Sequence, residues 1–207
     1  MSDMSNTPTS SVPSRPLPFY RVWTKVFTKP SEHTFAEIAA LPNAKASTAY
    51  LWVFLSSLLA PLISTLRTLG WSQINKISDS DAVFTNFFLV VFLSLVSVFT
   101  IIVVLVHWSA KIFHGTGRFS QLAYTVAAIY APSVLVRFVL IGLIIPISIS
   151  GPVNLLFIIY AFALFLIAVK TVNKFGWGAT AASVFLSVLI PACLYVVLLL
   201  YVSRGLN

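Results

Sequence analysis

The groups in this chain that could do chemistry are few, and most stand alone. His107 and His114 lie seven residues apart with Lys111 between them. A zinc or iron centre would need further imidazole, thiolate or carboxylate ligands. None is near either histidine in the sequence, so no metal is expected. The single cysteine, Cys193, lies in an apolar run. It can form no intrachain disulfide and reads as a membrane-buried structural thiol. Gly115-Thr116-Gly117 is too short for a dinucleotide fingerprint and follows no strand pattern. H-E-x-x-H, G-x-S-x-G and phosphate-binding glycine loops are missing from the sequence. The expectation is a protein that is not an enzyme and carries no cofactor.

What remains are polar groups set in apolar surroundings. Arg137 is the one charge inside a long hydrophobic run. Counted from Leu122, at a helical rise of about 1.5 Å per residue, it lies roughly 22 Å along the run. It could form an intramembrane site with acceptors such as Tyr130 or Ser133. The preferred reading is snorkelling to the nearer headgroups, with Asp79 or Asp81 as neighbours. Pro61, Pro132 and Pro191 each remove a backbone hydrogen bond and free the carbonyl four residues earlier, at Ser57, Ala128 and Ser187. Such helices can line a cavity or hinge; static packing is preferred here. Ala179, Ser183 and Ser187, four apart, allow a close helix contact, expected within the bundle rather than at a dimer seam.

The elements that must position these groups are membrane helices. Only 9% of the 207 residues are charged, and mean hydropathy is +0.96. A span needs about 20 apolar residues as helix. Five stretches qualify, at about 50–69, 83–106, 122–147, 153–169 and 179–202 by that length criterion. Gly151-Pro152 reads as a tight turn joining the third and fourth into a hairpin. Trp52, Trp71, Trp108 and Trp177 mark the edges of these runs, where indole rings favour headgroup level. The expected fold is all-α: a polytopic membrane protein with a bundle of five transmembrane helices preceded by short amphipathic interfacial helices. Residues 1–18 form a polar tail without the apolar region of a cleavable signal; residues 19–42 form the amphipathic segment; residues 43–207 form the membrane domain.

Cations set the orientation. Arg15, Arg21, Lys25, Lys29, Lys45, Lys111, Arg118, Lys170 and Lys174 fall on one side of the five spans, and only Arg67, Lys76 and Arg204 on the other. The positive-inside rule places the N-terminus in the cytoplasm and the C-terminus outside. Before the first span, Phe19, Val22, Trp23, Val26 and Phe27 repeat at helical spacing, with Arg21, Lys25 and Lys29 off that stripe. This is the pattern of a basic helix at a membrane surface, so Arg21, Trp23, Lys25 and Lys29 are expected to meet anionic lipid. Packing of this segment onto the cytoplasmic end of the bundle is compatible with that. A second short helix, about 31–41, carries Phe35, Ile38 and Ala39 on one face and stops at Pro42.

Three segments carry a resemblance. Phe27-Thr28-Lys29-Pro30-Ser31-Glu32-His33-Thr34-Phe35, the stretch from His107 to Phe119, and Tyr124 through Tyr130-Ala131-Pro132 are similar to prokaryotic members of the YIP family, named for Ypt/Rab-interacting proteins. With the five-span plan, the likeness covers about residues 22–202. The D-L-Y-G-P signature of the eukaryotic branch is missing, so Rab-type GTPase binding is not expected. The resemblance implies a multi-pass protein, here of a prokaryotic cell membrane. No long basic patch suggests nucleic acid. The leading expectation is a non-enzymatic scaffold that binds or organises anionic lipids and membrane-protein partners or further copies of itself. The alternative is a transporter or channel-like protein for a small anion or lipid, with the proline-bearing spans and Arg137 lining the path.

Overall fold

The structure is a computed structural model that describes residues 16–73, 81–139 and 147–205. Seven helices follow in order: α1 (Phe19–Thr28), α2 (Glu32–Ala39), α3 (Ala46–Gln73), α4 (Asp81–Ile112), α5 (Phe119–Val136), α6 (Ile147–Asn173) and α7 (Trp177–Gly205). No strand occurs among the described residues. Local chemistry punctuates the short helices. Pro30 cannot continue α1. Ser31 then caps α2, its hydroxyl accepting from the Thr34 N–H at 3.1 Å, while the Thr34 hydroxyl donates to the Lys29 carbonyl at 2.8 Å. Phe35, Ile38 and Ala39 are all buried, as their shared face requires.

α5 is the centre of the bundle. It packs most extensively against α3, and also against α6, α4, α1 and α2. Of its apolar span, 67% is buried, against 17% for α4 and 22% for α6. Ala123, Ala127, Ala128 and Ala131 are all fully buried, and such small side chains let neighbouring backbones close in. Aromatic rings knit the neighbours. Trp52 of α3 lies over Tyr124 of α5 at 4.7 Å between centroids, and Trp23 of α1 meets Trp52 edge-on at 5.9 Å. Phe99 of α4 touches both Tyr50 and Tyr130 at 5.4 Å.

Among the described residues, three helices are long and apolar enough to cross a membrane: Leu89–Ile112, Phe119–Val139 and Ile149–Asn173. Ala46–Ala60 and Trp177–Pro191 are shorter apolar segments of α3 and α7. Large apolar side chains such as Val90, Leu93, Leu156, Ile159 and Phe185 are exposed on the outer faces of α4, α6 and α7. One expectation is corrected. Gly151 and Pro152 do not make the turn between the third and fourth runs: Ile147, assigned to the third run, opens α6, and Gly151 and Pro152 lie within that helix. Helical hydrogen bonding is so strongly demanded in hydrocarbon that neither residue breaks it near the helix start. Cys193 is exposed on the surface of α7.

Candidate functional site

One end of the bundle collects α1, α2, the connection between α4 and α5 and the connection between α6 and α7. Polar contacts hold these pieces together. The Gln121 side-chain N–H donates to the Ala39 carbonyl at 3.3 Å, tying α2 to α5. Asn43 donates to the Leu17 carbonyl at 3.3 Å. The Tyr160 hydroxyl of α6 donates to the Phe27 carbonyl, which closes α1, at 2.7 Å. Lys170 pairs with Glu32 and lies 4.5 Å from the Trp177 ring centroid; Lys25 pairs with Glu37. These pairs engage both acids of α2. Arg21, Lys29, Lys45, Arg118 and Lys174 are exposed at this end, without an ion pair among the described residues.

This geometry divides the surface residues expected from sequence. Arg21 and Lys29 are exposed, Lys25 is turned to Glu37, and Trp23 is packed between Phe19 and Trp52 with its indole N–H enclosed and unpartnered. Val22 and Val26 are fully buried. Val22, Trp23 and Val26 of the apolar stripe of α1 therefore face protein, while Phe19 is exposed.

A clasp between two helix ends was not visible in the sequence. α4 and α6 both finish in a residue with left-handed backbone, His114 at φ 62° and Lys174 at φ 56°. In each, the next N–H reaches back to close the last turn: Gly115 to the Ala110 carbonyl at 2.8 Å, and Phe175 to the Lys170 carbonyl at 3.0 Å. The loop after α4 lies against the end of α6. A Cβ on Gly115 would stand 2.9 Å from the Asn173 side-chain oxygen and 2.8 Å from the Phe175 ring; one on Gly117 would stand 2.7 Å from that oxygen and 2.8 Å from the Val172 carbonyl. The glycines serve backbone approach, and Asn173, itself buried, is the residue they approach. His107 is edge-on to Phe119 and His114 closes α4.

A cavity of about 620 Å³ lies among α4, α5, α6 and α7. Arg137, Tyr130, Ser187 and Pro191 all line it, so four of the expected intramembrane residues meet around one space. Ser183 is fully buried on α7, and Pro132 is buried inside α5; neither lines the cavity. Pro61 lies within α3, and its side chain is outside the described residues. Arg137 is exposed and opens a π-type turn over residues 137–139, which extends α5. It has no hydrogen-bond or ion-pair partner among the described residues; Asp79 and Asp81, its expected neighbours, lie outside the described side chains. The Tyr130 hydroxyl donates to the Leu95 carbonyl at 2.8 Å and pins α5 to α4. The Ser133 hydroxyl lines the cavity, enclosed and without a partner. Among the described residues no acidic side chain lines it.

Membrane-crossing helices around a buried central helix, with broad apolar outer faces, define a multi-pass membrane protein. The family model of the Yip1 domain matches residues 24–200, and the chain belongs to that family, as the three sequence segments implied. Neither the curated proteins nor the solved structures contain a match to it.

Proposed function

We propose that this protein is a non-enzymatic, five-span membrane protein that organises the membrane around it, with its basic end in the cytoplasm and its C-terminus outside. The observation that carries this is the surplus of cations at the end where α1 and α2 dock. Both acids of α2 are engaged by Lys25 and Lys170, which leaves Arg21, Lys29, Lys45, Arg118 and Lys174 exposed. Each exposed cation near an anionic leaflet contributes about 1 kcal/mol. The docked α1–α2 pair gives those charges a fixed frame, which can gather anionic lipid and hold partner proteins or a second copy. α3 and α7 complete the five crossings. The non-enzymatic part of this reading rests on the missing catalytic motifs.

Trp108 and Trp177 are exposed at the same end and serve as reporters. In reconstituted vesicles, a brominated anionic lipid is expected to quench their fluorescence more than a brominated zwitterionic lipid. Replacing Arg21, Lys29, Lys45 and Arg118 by Gln, or raising salt, is expected to abolish the difference. Equal quenching by both lipids in the parent protein would defeat the proposal.

The cavity lends weight to a second reading, a transport path for an anion or lipid, because Arg137, Tyr130, Ser187 and Pro191 line it together. A vesicle flux assay separates the two: the organising role needs no flux.

A further inference from the structure

The cavity among α4, α5, α6 and α7 has a chemistry of its own, apart from the basic end and independent of any transport. Its wall is apolar over most of its length, with side chains such as Ile101, Ile129, Phe162 and Val188. Its volume, about 620 Å³, lies within the usual range of ligand sites, about 300–1,000 Å³. On α4 the wall runs from Ser94 to Leu105. At a rise of about 1.5 Å per residue that is roughly 16 Å, close to half of the ~30 Å hydrocarbon thickness, the depth of one leaflet. The single charge in the wall among the described residues is Arg137. It stands one helical turn from Ser133, so the two share a face of α5. Ser133 brings an enclosed hydroxyl that has no partner.

A cation beside an apolar membrane cavity is costly unless an anion meets it. Among the described residues the wall supplies no carboxylate, and Arg137 has no hydrogen-bond or ion-pair partner there. A guanidinium presents a planar fork of donors that matches two phosphate oxygens. A small free anion would leave the apolar length of the cavity unfilled. We infer that the cavity holds one acyl chain of an anionic phospholipid whose phosphate is bound by Arg137 and Ser133. Tyr130, engaged with Leu95, keeps α4 and α5 in register beside the chain rather than touching the headgroup.

The test uses the full chain in vesicles of equal parts phosphatidylcholine and phosphatidylglycerol, released into mild detergent for native mass spectrometry. The parent is expected to retain one lipid per chain and to favour phosphatidylglycerol by about tenfold, a difference well within reach of a paired charge. Arg137→Gln is expected to bring the two lipids to parity. Arg137→Lys should keep part of the preference, since it preserves the charge and loses the fork. Ala161→Phe, which places a ring in the cavity, is expected to abolish retention of either lipid with the preference at the basic end intact. Arg21→Gln with Lys29→Gln should leave retention unchanged, which separates this site from the one under Proposed function. The inference is overturned if the parent retains no lipid, retains both alike, or retains phosphatidylglycerol equally well with Phe at position 161. Should Arg137→Gln fail to fold, the Lys and Phe variants decide the matter by the same readout.

Discussion

At the scale of the residue, the tryptophans divide into two kinds that sequence treats alike. Trp52, Trp71, Trp108 and Trp177 stand at the edges of apolar runs, as an interfacial preference predicts, and Trp23 stands in the basic segment before them. Trp108 is 68% exposed, while Trp52 is 7% exposed and is sandwiched between Trp23 and Tyr124. The difference comes from contacts between helices far apart in the chain, which no local pattern encodes. Trp52→Ala is therefore expected to cost about 3–5 kcal/mol through a cavity at the α1–α3–α5 junction. Trp108→Ala should stay within about 0.5 kcal/mol. Thermal unfolding in detergent measures both, and equal melting of the two variants would remove the junction's special role. The ion pair of Lys25 with Glu37 is a lesser matter, because both side chains are partly exposed and such pairs contribute about 0–1 kcal/mol.

At the scale of the element, the informative features are helix ends. The sequence signals that stop α1 and start α2, Pro30 and Ser31, are local and act as read. The ends of α4 and α6 are less legible, because a lysine and a histidine occupy left-handed positions that glycine usually fills. Relieving that strain should stabilise the fold: Lys174→Gly is expected to gain roughly 1 kcal/mol. The loop clasp predicts an asymmetry among glycines. Gly117→Ala forces a methyl against the Val172 carbonyl and the Asn173 side chain and should cost about 1–3 kcal/mol. Gly178 has open space where a Cβ would go, so Gly178→Ala should be neutral or gain about 0.4–1 kcal/mol. Melting temperatures of the two alanine variants that coincide would rule out a close-packed clasp.

At the scale of the whole molecule, the decisive matter is how often the chain crosses. The proposed five crossings would put the termini on opposite sides, and the positive-inside rule would then put the connections after α4 and α6 in the cytoplasm. In a Cys193→Ser background, a cysteine at Thr116 or Gly176 should resist an impermeant reagent applied to intact cells. A cysteine at Asn207 should react. Labelling at Asn207 and Thr116 from the same side would require an even number of crossings after the α4–α5 loop and would end the five-span reading.

The sequence by itself determined that this is a helical membrane protein, roughly where its long helices run, and its membership of the YIP family. Hydropathy, charge and short motifs are properties of segments, and segments suffice for those conclusions. Tertiary structure alone decided which helix is central, where α6 begins, and that Val22, Trp23 and Val26 of α1 pack against the bundle. It also decided that Arg137, Tyr130, Ser187 and Pro191 share one cavity. The physical reason is that α4, α5 and α6 are apolar around nearly their whole circumference. In a soluble protein an amphipathic period would mark the buried face. Where lipid tails are as apolar as the core, that period vanishes, and only shape and close packing choose which face turns inward.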